Sequence, residues 1–220
     1  MTASDRDVVV WDVPTRLFHW LAVALVIAAY ATWRLNWMDW HARAGEALLA
    51  LVLFRLSWGF FGSETARFSA FLTGPRTALR HLAHGFRREP DRQVGHNPAG
   101  GWMVLLLLAL LLAETLTGLY IDNDVADHGP LTELVPAPIA NLITDLHQYF
   151  WDALLAAAIL HVIAIALYAA VKRHDLVTPM ITGRKPLPQD IARPRLKSAA
   201  RAAMLLAGSA LAAAALANYL

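Results

Sequence analysis

Five long apolar stretches constrain this chain more than any other feature. They run from Leu17 to Trp33, Ala44 to Phe61, Trp102 to Ile121, Trp151 to Val171 and Ala202 to Leu220. Each is long enough to cross a hydrocarbon layer of about 30 Å. Lipid offers no partner to a bare backbone N–H or C=O, so each stretch is predicted to be a helix. Composition agrees, because 57% of the 220 residues are hydrophobic and 16% are charged, which leaves too little polar surface to cover a water-soluble globule. The chain reads as an all-α integral membrane protein.

The first stretch carries a small-residue step, Ala29-Tyr30-Ala31, of the kind found at signal cleavage sites. A signal also needs a positive leading segment, whereas Asp5, Arg6, Asp7, Asp12 and Arg16 sum to minus one. It is therefore read as a retained helix. Arg67, Arg76, Arg80, Arg87, Arg88 and Arg92 fill the second connection, and Lys172, Arg173, Arg184, Lys185, Arg193, Arg195, Lys197 and Arg201 the fourth. Both are predicted to be cytoplasmic, with the N-terminus on the same side. The third connection lacks Lys and Arg but holds Asp122, Asp124, Asp127, Glu133 and Asp145, and is expected on the opposite face. A net charge of +2 thus reflects topology and gives no reason to expect nucleic acid as a partner.

Within the connections, Pro138 to Leu146 is predicted as a short interfacial helix. Gly62 to Gly101 reads as a polar loop with turns at Gly74-Pro75, Glu89-Pro90 and Asn97-Pro98, the last starting the third helix. Trp33, Trp37, Trp40, Trp102 and Trp151 are placed at helix ends, as an aromatic belt would be.

Four histidines fall at matched depths. His19 lies near the inner end of the first helix and His41 near the outer end of the second; His147 and His161 share the fourth. Their spacing of 14 residues amounts to about 21 Å of rise and roughly 40° of rotation. His41 is thereby level with His147, and His19 with His161. A chain without cysteine has no thiolate for an iron–sulfur cluster or covalent c-type heme. Paired neutral imidazoles among apolar walls suit the axial positions of two hemes. A single histidine at a membrane boundary can equally serve as an interfacial polar residue; four at consistent depths point to ligands.

Arg16, one turn before His19, and Arg55, 14 residues after His41, are candidates for the heme propionates. Snorkelling to the surface is the rival reading of Arg55. Gly45 and Gly118 would let a flat ring approach the backbone, or simply serve helix packing. Glu114, deeper than Glu46 and Asp152, offers either a proton relay or an interhelical hydrogen bond. His81, His84, His96, His128 and His174 are read as surface residues.

The run Val10-Trp11-Asp12-Val13-Pro14-Thr15-Arg16-Leu17-Phe18-His19-Trp20 resembles the entry to the first helix in the bacterial cytochrome b561 family, which includes the cytochrome b subunit of membrane-bound nickel–iron hydrogenases. His41 with Gly45, Arg55, Trp58, Gly59 and Gly62 resembles that family's second helix. Gly95-His96-Asn97-Pro98-Ala99-Gly100-Gly101-Trp102 through Thr117-Gly118 resembles its third, and His147 with His161 its fourth. The resemblance covers roughly residues 8 to 185. It implies a four-transmembrane-helix heme-binding bundle, residues 1–185, with two noncovalent b hemes ligated by His19, His41, His147 and His161.

The implied activity is electron transfer between the quinone pool and a redox partner such as a c-type cytochrome, a dehydrogenase or a hydrogenase subunit, in a bacterial inner membrane. Residues 186–220, a linker and one additional C-terminal transmembrane helix, lie beyond the matching core. Ala203, Ala207, Gly208, Ala212 and Ala213 make that helix either a packing or partner-binding element or an extra anchor. The alternatives in function are a stand-alone quinone reductase fed by a small diffusible donor, a small-solute transporter, and a membrane anchor subunit. No span carries the midplane proline or paired glycines frequent in transporters.

Overall fold

The computed structural model describes residues 5–83, 91–122 and 129–218. In chain order they form β1 (Arg6–Val9), α1 (Val13–Arg34), α2 (Met38–Phe61), α3 (Phe68–Phe71), α4 (Pro75–Ala83), α5 (Pro98–Gly118), α6 (Ala137–Leu167), α7 (Val177–Thr182), β2 (Arg184–Leu187) and α8 (Ala199–Ala217). α1, α2, α5, α6 with its π-helical extension, and α8 are the helices long and apolar enough to cross a membrane. Apart from the short β1–β2 pair, the protein has the all-α membrane-spanning helical fold expected.

Short polar side chains set two of the helix starts. Asp12 Oδ1 accepts the Thr15 N–H at 2.8 Å, and Asn97 Oδ1 accepts the Gly100 N–H at 2.7 Å. Each bond reaches the third helical residue, a group otherwise left without a partner. A proline follows closely in each case, Pro14 and Pro98, where its missing N–H costs nothing. The turn between α1 and α2 passes through Asn36 at φ 57°, a left-handed conformation that asparagine tolerates better than most residues.

Backbone packing divides the chain into two compact units. The first comprises Met1–Leu17, Ser57–Leu106 and Ala157–Ala202. In it β1 and β2 pair antiparallel, with Arg6 opposite Leu187 and Val9 opposite Arg184. Val8, Val10, Trp11 and Leu187 form a small core behind the pair. Asp12 Oδ2 accepts the indole N–H of the fully buried Trp58 at 3.0 Å. The two basic connections also meet here: Lys185 Nζ lies 2.6 Å from Asp91 Oδ2, the Arg195 N–H donates to Glu64 at 2.9 Å, and Arg92 pairs with Asp190.

The second unit comprises Phe18–Leu56, Leu107–Ala156 and Ala203–Leu220. Ala22, Leu48, Val52, Leu111 and Leu154 make its main core, bringing α1, α2, α5 and α6 together. A second cluster joins Leu49, Leu119 and Leu131 to Ala213 of α8.

Several expectations need correction. Pro138 to Leu146 is no separate helix but the opening turns of the 31-residue α6, since proline is tolerated in the first turn. Trp151 is consequently well inside α6, stacked on Tyr30 at 5.2 Å. The polar loop holds two helices, α3 and α4. In α8 only Ala213 of the small residues singled out is buried, and the packed face is Ala202, Ser209 and Ala213. His96 is held between Trp11 and Phe71, each 4.6 Å away between ring centroids. His81 and His174 are half-buried beside Tyr168 Oη and Asp91, so none of these three is a plain surface residue. His84 and His128 lie outside the described residues.

Candidate heme site

The second unit brings His41 of α2 and His147 of α6 together, one ring edge-on to the other. Their ring centroids are 6.4 Å apart and their planes 85° apart. Two metal–imidazole bonds of about 2 Å plus two ring radii of roughly 1.1 Å span about 6 Å, so the spacing suits one shared metal.

The hydrogen bonds decide which nitrogen each ring offers. His41 Nδ1 is 2.9 Å from the carbonyl oxygen of Ala29. A carbonyl only accepts, so Nδ1 donates, which in the neutral ring leaves the lone pair on Nε2. His147 Nδ1 lies 3.0 Å from Thr117 Oγ1. That hydroxyl gives its own proton to the backbone, at 2.7 Å from Ala113 O and 3.0 Å from Glu114 O, and accepts from Nδ1–H. His41 is thus held in the tautomer that leaves Nε2 open, as outer-shell hydrogen bonds hold metal-ligating histidines, and His147 offers its Nε2 once the Glu114 contact on that atom is released.

Glu114 Oε1 stands 3.3 Å from His147 Nε2, an interhelical contact on the nitrogen a metal would take. Metal binding through that nitrogen and this contact exclude one another. The glycines divide in role. A Cβ on Gly118 would lie 3.3 Å from His147 Cε1, whereas one on Gly45 would meet nothing within 4 Å. The flat ring that needs Gly118 is therefore the imidazole itself, and open space flanks Gly45. Alongside, Leu25, Ala28, Thr32, Trp37, Trp40, Arg43 and Ala44 line an apolar groove of about 340 Å³ between α1 and α2.

Arg55 is 2% exposed, which rules out snorkelling into solvent. In the first unit, Arg16 donates through Nη1 to the carbonyl of Ile181 at the end of α7. His19 is half-buried in the second unit, with Trp20 edge-on at 4.8 Å, and His161 is half-buried in the first. Among the described residues no three His, Asp or Glu side chains converge as a metal cage. A porphyrin brings its own equatorial donors and asks the protein only for an axial pair. Two imidazoles, each held by a hydrogen bond on Nδ1 and set among apolar side chains, fit that request.

Thr117 and Ala29 hold the two histidines through contacts that the sequence did not disclose. Thr117 is one turn from Glu114 on α5, a spacing that in hindsight marks one face, but a backbone carbonyl such as that of Ala29 leaves no residue-type signal.

A family model for prokaryotic cytochrome b561 matches residues 10–183. The chain belongs to this family. It is a membrane cytochrome b with an electron-transfer role, and b-type heme is the cofactor its family implies. The cytochrome is also similar to a protein of Rhizobium leguminosarum bv. viciae described as "Probable Ni/Fe-hydrogenase B-type cytochrome subunit", 22% identical over 214 residues that cover 82% of this chain and 89% of the other. No solved structure gives a significant match.

Proposed function

We propose that this cytochrome is a diheme subunit carrying electrons across a bacterial inner membrane between the quinone pool and a redox partner. His41 and His147 would hold one noncovalent b heme, and His19 and His161 a second. The observation that carries this reading is the His41–His147 pair, with its 6.4 Å spacing and a hydrogen bond on Nδ1 of each ring.

When bound, heme supplies a one-electron iron couple. The chain's own residues do the rest. Ala29 and Thr117 orient the imidazoles, and the apolar core around Val52 and Leu111 excludes water. Gly118 seats the His147 ring and Gly45 leaves room beside His41. Arg55, and Arg16 through its remaining donors, would serve as cationic groups for the propionates. The groove between α1 and α2 would admit a quinone from the lipid close to His41, its apolar walls suiting the ring and tail.

Both basic connections fall in one compact unit and bond to each other, which supports a common cytoplasmic side and a cytoplasmic N-terminus. The name of the Rhizobium relative favours a hydrogenase as the partner; a dehydrogenase or a c-type cytochrome offers the same chemistry. Residues 1–185 would form the electron-carrying domain, with the α8 segment, 186–220, attached to it.

The test is heme stoichiometry. Purified wild-type protein should carry two b hemes, and His41→Ala and His161→Ala one each. Unchanged heme content in both variants would overturn the ligand assignment.

A further inference from the structure

α4 is a short helix that the bundle does not use. At roughly 100° per residue, its side chains sort into three strips. His81 and Ala78 face the protein: His81 Nε2 is 2.7 Å from Tyr168 Oη, and Ala78 is buried. Next around the helix come Leu79 and Leu82, 65% and 56% exposed. Beyond them lie Arg76 and Arg80, also exposed.

Two hydrogen bonds set the helix at the level of the span ends. Trp102, in the first turns of α5, donates its indole N–H to Thr73 O at 3.0 Å, just before α4. Tyr168, bonded to His81, stands at the C-terminal end of the α6 span. Trp and Tyr are the residues that mark the boundary between hydrocarbon and headgroups. A helix anchored by such a pair, with leucines on one open strip and arginines on the next, matches a segment lying in the membrane interface.

We propose that α4 is an interfacial helix that inserts Leu79 and Leu82 below the headgroups and binds anionic phospholipids through Arg76 and Arg80. The occupant follows from charge: the open strip beside the leucines is cationic, with no carboxylate anywhere in α4, and phosphate-bearing headgroups are the anions available at that depth. Each arginine near an anionic surface strengthens the attraction about fivefold. The proposal does not depend on the number of hemes.

The chain has no cysteine, so single spin labels report cleanly. Leu79→Cys, Leu82→Cys and, as an exposed comparison, Arg193→Cys would be labelled in full-length heme-loaded protein. The protein would be reconstituted in vesicles of phosphatidylglycerol or of phosphatidylcholine. In phosphatidylglycerol the labels at 79 and 82 should collide with oxygen more than with a water-soluble nickel chelate, and the label at 193 should show the reverse.

Protein extracted from mixed vesicles should retain phosphatidylglycerol over phosphatidylcholine. Arg76→Gln/Arg80→Gln should lower that enrichment by on the order of tenfold or more, while Arg76→Lys/Arg80→Lys keeps most of it. Labels at 79 and 82 as open to the chelate as the one at 193 would overturn insertion and assign the face to a protein partner. Unchanged lipid enrichment in the Gln variant, with its heme spectrum intact, would overturn the headgroup site.

Discussion

Thr117 shows how one hydroxyl governs a ligand. Its Oγ1 lies 3.0 Å from His147 Nδ1, so Thr117→Val should remove that bond and leave the ring free to turn. Heme affinity at the His41–His147 pair is expected to fall about 10–100-fold, the usual cost of losing such a partner. Thr117→Ser should restore it. Heme titration of the apoprotein checks both. Gly59 answers to packing: a Cβ there would stand 2.1 Å from Phe68 Cε2. Gly59→Ala should destabilise the first unit by roughly 1–3 kcal/mol, measured by thermal unfolding in detergent. The histidines were legible because depth in a lipid span follows from residue count. The Thr117 bond was not, because it depends on rotamers and on how α5 meets α6.

At the scale of elements, Asp12 joins a cap to a tertiary contact. Asp12→Ala removes the acceptor for Thr15 N–H and the Oδ2 that accepts the indole N–H of the buried Trp58. The combined cost is roughly 2–4 kcal/mol. Asp12→Asn, which keeps one oxygen, should lose less by the same thermal measurement. Asp175 begins α7. Its carboxyl is held below the ordinary carboxylate range by the Thr178 hydroxyl, and by the backbone N–H groups of Thr178 and Val177.

A depressed carboxylate stabilises the fold at pH values above its unfolded pKa, and the contribution is lost as pH falls through the folded pKa. Amide protection of Val177 and Thr178 should therefore fall on acidification in the wild type and be low and flat in Asp175→Ala. Helix starts such as Asn97-Pro98 were readable in the chain, since caps are local. The length of α6 was not, because Pro138 is compatible both with a break and with a first turn.

For the whole molecule, α8 decides its own role by which face it turns inward. Ala213 packs against Leu49, Leu119 and Leu131, so Ala213→Leu should overpack the second unit by about 1–3 kcal/mol. Ala207→Leu, on the exposed face, should change stability within about 0.5 kcal/mol. Thermal unfolding of the two variants side by side tests whether α8 belongs to the fold.

Sequence alone determined that five segments cross the membrane as helices and that His41 and His147 share a depth. Lipid admits no other backbone, and a helix converts residue number into height. Only the tertiary structure decided the rest. Strands of four residues from opposite ends of the chain pair because Val8, Val10 and Leu187 find a common core, a contact with no local periodic signal. Each imidazole is held at Nδ1 by an oxygen on a neighbouring helix. Small residues line all sides of α8, so its inward face had to come from the partners that pack against it.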